Sequence, residues 1–141
     1  MLLTRLTHPE IARALAGAGH GSKVLIGDGN YPLSTGSNKE AVHVYLNLRP
    51  GMVPVDDILE TILSAIPVEA ATVMSPNDDR VPEPPIFNDF RGLLAPIDLS
   101  QVGRSEFYRR ACQPDVALAI LSGDQRLYAN ILLTIGVVQP S

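Results

Sequence analysis

The chain has few of the features that mark secreted, membrane-spanning or disulfide-stabilised proteins. Its 141 residues include one cysteine, Cys112, so no internal disulfide can form, which favours a reducing compartment. Residues 1–8 lack the apolar core of a secretory signal, and no apolar run approaches the roughly 20 residues needed to span a bilayer. We therefore predict a soluble, cytoplasmic protein without a membrane partner.

The charge balance argues against a nucleic-acid partner. The net charge is −4, whereas nucleic-acid binding normally requires a clustered basic face. One dense basic patch combines Arg104 with Arg109 and Arg110, next to the aromatic Phe107 and Tyr108. An amphipathic helix explains this pattern equally well, so we expect no nucleic-acid partner.

Metal and nucleophile motifs are also missing. There is no His-Glu-x-x-His or Cys-x-x-Cys motif, and the three histidines are far apart in the chain: His8, His20 and His43. The acidic pair Asp78-Asp79 is typical of a solvated loop tip, and no serine lies in a Gly-x-Ser-x-Gly elbow. The glycines of residues 17–21 follow a helix, whereas phosphate-binding glycines follow a strand. We expect no metal, and Cys112 is predicted to be a small core residue.

The apolar pattern predicts one α/β domain over residues 1–141, with an open sheet flanked by helices. A capping box from Thr7 to Glu10 starts the first helix, and Ser105 is a candidate cap for the last one. Predicted helices cover residues 7–18, 54–66, 86–94 and 105–112. Predicted strands cover residues 23–27, 41–48, 70–74, 115–121 and 130–135.

The first predicted strand has a histidine before it and an aspartate after it. His20 lies in a Gly-His-Gly turn, and Asp28 follows the strand directly. Ligands of α/β sheets bind at the carboxyl ends of strands, so Asp28 lies where a functional carboxylate is expected. A histidine and a carboxylate can also move protons at neutral pH. Taken alone, a histidine such as His20 is more often a helix-terminal residue than a catalyst, and an aspartate such as Asp28 is often a turn former.

Three stretches in order together resemble the family of sugar mutarotases that includes fucose mutarotase and ribose pyranase. They are Gly19-His20-Gly21 with the following strand and Asp28-Gly29-Asn30-Tyr31-Pro32, then residues 104–111, and finally Ser122-Gly123-Asp124 leading to Tyr128-Ala129-Asn130. The turn Arg49-Pro50-Gly51 and the loop over residues 75–85 depart from the family pattern. Because loops shape pockets, these departures leave the preferred sugar open.

The resemblance implies a cofactor-independent isomerase that interconverts anomers or ring forms of a free monosaccharide. His20 matches the catalytic histidine of the family. The sugar-binding positions are matched by Asp28, Arg104, Tyr128 and Asn130. An arginine at position 104 resembles the fucose branch, so L-fucose or a related hexose is the expected substrate. A ribose-type pyranase, a non-catalytic sugar-binding or transport-accessory protein, and a ring without a ligand stay open as alternatives.

The spacing of His20 and Asp28 raises a geometric problem. An extended strand rises about 3.3 Å per residue, which puts the two residues on the order of 20 Å apart. Either the turn at Gly21-Ser22 folds back, or the site combines residues of two subunits. The family resemblance implies rings of subunits with active sites between neighbours. We therefore predict an obligate homo-oligomer, a pentamer or decamer ring, with which the mean hydropathy of +0.13 is compatible.

Overall fold

A mixed six-stranded sheet organises the protein, and its computed structural model describes all residues, Met1–Ser141. The strands are β1 (Lys23–Gly27), β2 (Val42–Tyr45), β3 (Val68–Met74), β4 (Leu99–Val102), β5 (Val116–Leu121) and β6 (Ile131–Ile135). The helices are α1 (Pro9–Gly17), α2 (Val55–Leu63), α3 (Ile86–Leu94) and α4 (Arg104–Ala111). The predicted α/β class is confirmed.

The sheet has the strand order β2-β5-β1-β6-β3-β4. Strands β2, β5 and β1 are mutually parallel, and so are β3 and β4. Strand β6 lies between these two groups and is antiparallel to both β1 and β3. Five strands therefore end at one edge of the sheet, called the carboxyl edge below, and β6 begins there.

The two faces of the sheet carry separate hydrophobic clusters because alternate strand residues point in opposite directions. Val24 and Ile26 of β1 join the larger cluster with the apolar faces of α1, α2 and α3. Leu25 points to the other face, where the smaller cluster includes Phe107 of α4 and residues of the loop after β1. None of the helices, which reach nine residues at most, could cross a bilayer.

Helix starts differ from the predicted ones. His8, not Thr7, caps α1, because its Nδ1 accepts a hydrogen bond from the Ile11 N–H. Helix α4 begins at Arg104 with Gly103 as its N-cap, so Ser105 is not a cap. Cys112 terminates this helix and is exposed, which corrects its assignment as a core residue.

The prediction missed β4 and made β2 too long. Strand β4 is a short edge strand with no fully buried residue, so it lacks an apolar signal. After Tyr45 the chain leaves the sheet for a tight turn closed by the Arg49–Met52 bridge. Leu48 is consequently 78% exposed and does not belong to the predicted apolar face.

Candidate active site

The carboxyl edge brings Asp28 and Asn130 into direct contact. Asp28 follows the last residue of β1, and Asn130 precedes the first residue of β6, which is the neighbouring strand. The Asp28 backbone N–H donates a hydrogen bond of 2.7 Å to Asn130 Oδ1. Both residues are buried, at 6% and 5% exposure. The predicted pairing of their side chains around one ligand is thus geometrically feasible.

The Asp28 carboxyl lies in an environment that opposes its ionisation. Burial raises its pKa above the ordinary value, and the nearby Asp124 carboxylate adds to the rise. Hydrogen bonds from the Asn30 and Tyr31 backbone and from Asn130 offset part of this effect. The carboxyl oxygens of Asp28 can accept hydrogen bonds from sugar hydroxyls.

Asp124 has the opposite electrostatic character although it is equally buried. Burial pushes its pKa up, but hydrogen bonds from the Arg126 side chain and from the Val55 and Arg126 N–H groups lower the pKa below its ordinary value. Its backbone oxygen accepts a hydrogen bond of 2.8 Å from Gly29 N–H. The Asp124 carboxylate therefore holds Val55 and Arg126, while its backbone carbonyl holds Gly29 directly after Asp28.

Tyr128 lies two residues before Asn130 in the loop that connects β5 to β6. It is half-buried and packs against both hydrophobic clusters. Its φ of 61° is unusual for a residue with a side chain. Strained backbone of this kind is concentrated at functional sites, which fits the predicted role of Tyr128 in the site.

Arg104 reaches the same edge from the start of α4, two residues after β4 ends. Its guanidinium lies 5.7 Å from the centre of the Tyr108 ring, and Tyr108 stacks on Tyr31 with the ring centres 5.3 Å apart. Arg109 and Arg110 are both paired with Glu106 in the same helix. Arg104 has no carboxylate partner, so its charge is free to bind an oxygen of a ligand.

A polar cavity of about 360 Å³ opens next to the loop after Asp28, where Gly29 and Asp124 line it. The predicted sugar-binding residues Asp28, Arg104, Tyr128 and Asn130 are not among its walls. Its walls are residues that follow β1, β2 and β5, including Asn30, Asn47 and Gln125, and none of them is hydrophobic. The carboxyl ends of three adjacent parallel strands thus open into a space whose amide groups suit a polyhydroxylated ligand. No group of three or more metal-binding side chains converges here or elsewhere in the protein.

His20 lies at the opposite edge of the sheet. It precedes β1, and the N–H of the adjacent Gly21 donates a hydrogen bond to the carbonyl of Ile135 at the end of β6. The His20 side chain is 58% exposed. The turn at Gly21-Ser22 does not fold back, so one chain does not bring His20 to Asp28.

His20 has a partner that the sequence reasoning missed. Its Nε2 lies 3.0 Å from Oε1 and 3.1 Å from Oε2 of Glu69 on β3. Because a carboxylate only accepts hydrogen bonds, Nε2 carries the hydrogen and Nδ1 is available as a base in the neutral ring. No local pattern signals this pair, since its members are 49 residues apart and meet through sheet pairing.

The sequence profile of the RbsD / FucU transport protein family matches residues 1–138. The chain belongs to this family. Among its relatives, the D-ribose pyranase of Symbiobacterium thermophilum is 32% identical over 137 residues, which are 97% of this chain and 98% of that protein. The fucose mutarotase of Mus musculus is 29% identical over 148 residues, covering 96% and 93% of the two chains.

The structure of this chain is also similar to a solved structure of the family. The fucose mutarotase of Streptococcus pneumoniae, solved in complex with L-fucose, has a TM-score of 0.76 to this chain at 26% identity. The match covers 94% of each chain. The predicted resemblance to the sugar mutarotases and pyranases is therefore confirmed, while relatives with either activity have similar identity.

Proposed function

We propose that this protein is a monosaccharide mutarotase that interconverts anomers of a free sugar by opening and closing its ring. The observation that carries the proposal is the buried Asp28–Asn130 contact at the carboxyl edge of the sheet. The names of the relatives support the same chemistry, because a pyranase and a mutarotase both change the ring form of a sugar.

The reaction needs two proton transfers and no cofactor. One proton leaves the anomeric hydroxyl, and another is delivered to the ring oxygen as its bond to the anomeric carbon breaks. The open aldehyde then rotates and closes on either face. We assign the proton transfers to His20, since an imidazole can give and take a proton at neutral pH, and Glu69 fixes its tautomer.

The remaining predicted residues bind the sugar. Asp28 and Asn130 would hold hydroxyl groups, Arg104 would hold an oxygen, and Tyr128 would position the ring or relay a proton. The half-buried ring of Tyr128 adds an apolar surface against which the sugar ring can pack.

The complete site requires two subunits in this proposal. His20 of one subunit would complete the carboxyl edge of a neighbour, because the two groups lie at opposite edges of the sheet within a chain. A ring, either a pentamer or a decamer, joins unlike surfaces of neighbouring copies in this way. Full activity in a particle that elutes as a monomer in size-exclusion chromatography would contradict it.

The proposed substrate is L-fucose or a related hexose, with D-ribose as the second candidate. Arg104 favours the fucose branch, and the pyranase relatives favour ribose. We would measure magnetisation exchange between the α and β anomers of each sugar by NMR, with and without the protein. The proposal predicts protein-dependent exchange that His20→Ala lowers by about 10²-fold or more. Sugar-dependent stabilisation without exchange would instead favour a binding protein.

A further inference from the structure

Three aromatic rings connect the end of β1 to helix α4. Tyr31 stacks on Tyr108 at 5.3 Å with an interplanar angle of 21°, and it meets the edge of Phe107 at 6.2 Å and 74°. The Arg104 guanidinium lies over the other ring of the stacked pair, 5.7 Å from the centre of Tyr108. The rings thus form a continuous contact from the loop after Asp28 to Arg104.

Tyr31 is held on every side. Its hydroxyl donates a hydrogen bond of 2.6 Å to the Gly36 carbonyl, and its N–H donates one of 3.1 Å to the Asp28 carbonyl. It folds back over the end of β1, where a Cβ on Gly27 would lie 2.7 Å from the Tyr31 Cβ. The residue is 5% exposed, so Tyr31 offers almost no surface to a ligand.

Arg104 is held far less tightly. Its side chain forms no hydrogen bond or ion pair in the chain, and its residue is exposed. Its guanidinium meets the Tyr108 ring, 5.7 Å from the ring centre. Tyr108 is itself only half-buried, and its stacking on the fixed Tyr31 ring restricts where it can lie.

We infer that Tyr31 is a positioning residue that sets the place of Arg104 relative to Asp28 by stacking on Tyr108. This inference rests on the proposed function, since it assigns to Tyr31 an effect on sugar binding by way of Arg104. The backbone hydrogen bond to Asp28 and the ring stack toward Arg104 make Tyr31 the link between the two binding groups. Its hydroxyl supports the loop and takes no part in the reaction.

The test compares Tyr31→Leu, which removes the ring, with Tyr31→Phe, which keeps it. We expect Tyr31→Leu to raise the KM for anomer exchange about threefold to tenfold with kcat nearly unchanged, as loss of one ring stack predicts. Tyr31→Phe should restore a KM close to that of the unaltered protein. The matched control is Phe87→Leu, a fully buried aromatic residue of the larger cluster on the opposite face of the sheet, which should lose stability without changing KM.

A double-mutant cycle with Arg104→Gln separates positioning from general damage. If Tyr31 acts through Arg104, Tyr31→Leu adds little to the KM of Arg104→Gln, and the two effects are strongly non-additive. Additive effects on KM, or an unchanged KM in Tyr31→Leu, would overturn the inference.

One readout needs no sugar. The Arg104 Nε–H resonance, assigned by its loss in Arg104→Gln, should move toward that of a free arginine in Tyr31→Leu and stay in place in Tyr31→Phe. An unmoved resonance in Tyr31→Leu would overturn the inference even if the proposed function holds. Absence of exchange and binding in the unaltered protein would instead refute the proposed function, while a moved resonance would still support the positioning role.

Discussion

Complementation between two inactive variants gives the sharpest test of a site shared by subunits. His20→Ala and Asp28→Asn chains are produced with different tags and are allowed to assemble together. Under the proposed function, each variant alone lacks one required group in every site. In a mixed ring, a His20→Ala chain still offers Asp28, and an Asp28→Asn chain still offers His20.

The distance between His20 and Asp28 within one chain limits rescue to sites formed between two chains. Strand β1 has five residues between the turn that carries His20 and Asp28, which is about 16 Å of extended chain. His20 is also tied to β3 at its own edge through Glu69. One small sugar cannot touch both groups of a single chain, so rescue must come from the contact between two chains.

The size of the rescue follows from random assembly. In an equal mixture, half of the subunits supply an intact Asp28, and half of their neighbours supply an intact His20. About one quarter of the sites in a closed ring therefore contain both groups, which sets the expected activity at about one quarter of that of the unaltered protein. If His20 and Asp28 acted within one chain, every site would keep one defect and no activity would return.

The assay is anomer exchange by NMR on mixed particles purified through both tags. Particles assembled separately and mixed without subunit exchange serve as the control, and they should stay inactive. Mixed particles that stay as inactive as either variant would refute the shared site.

Three further predictions concern stability. Gly123→Ala should lower the free energy of unfolding by about 3 kcal/mol or more in urea denaturation, because the new Cβ would lie 1.9 Å from the backbone oxygen of Met52. The control Gly136→Ala should cost much less, because the atom nearest to its new Cβ lies 3.4 Å away. Phe107→Ala should cost about 3–5 kcal/mol in the same assay, since this ring is fully buried between α4 and the sheet, and a loss below 1 kcal/mol would contradict that packing. Burial raises the folded-state pKa of Asp28, so the ionised carboxylate lowers the free energy of unfolding as the pH rises above the ordinary value of 3.8. Asp28→Asn should therefore become more stable relative to the unaltered protein as the pH rises from 4 to 7. A stability difference that shrinks over this range would refute the sign.

Periodic apolar segments could be predicted from the sequence, whereas features fixed by distant contacts could not. Strand β1 and helix α3 have the predicted bounds because their apolar residues follow one clear period. Strand β4 was not predicted because an edge strand buries few apolar residues. The cap of α1 was misassigned because the His8 side chain, one residue after Thr7, accepts the Ile11 N–H. These errors affect boundaries and leave the class of the fold unchanged.

In the candidate site, too, some residues could be predicted from the sequence and others could not. The resemblance carried by the order of motifs pointed to Asp28 and Asn130, and the structure places both at the carboxyl edge. Glu69 and Tyr31 were not recognised, because their roles arise from a hydrogen bond to His20 and a ring stack on Tyr108 that form only in the folded chain. The roles of the predicted residues in catalysis and binding stay predictions.

The central position of β6 determines when, during folding, the sheet and the candidate site are completed. Before this last strand is made, the parallel groups β2-β5-β1 and β3-β4 share no sheet hydrogen bonds, since β6 alone joins them. The contact between Asp28 and Asn130 also spans 102 residues. A nascent chain that has not yet inserted β6 therefore lacks both a continuous sheet and the Asp28–Asn130 contact of the candidate site. A ligand that binds at the carboxyl edge should therefore bind only chains in which β6 is in place. Its binding should stabilise the connection that β6 makes between the strand groups β2-β5-β1 and β3-β4.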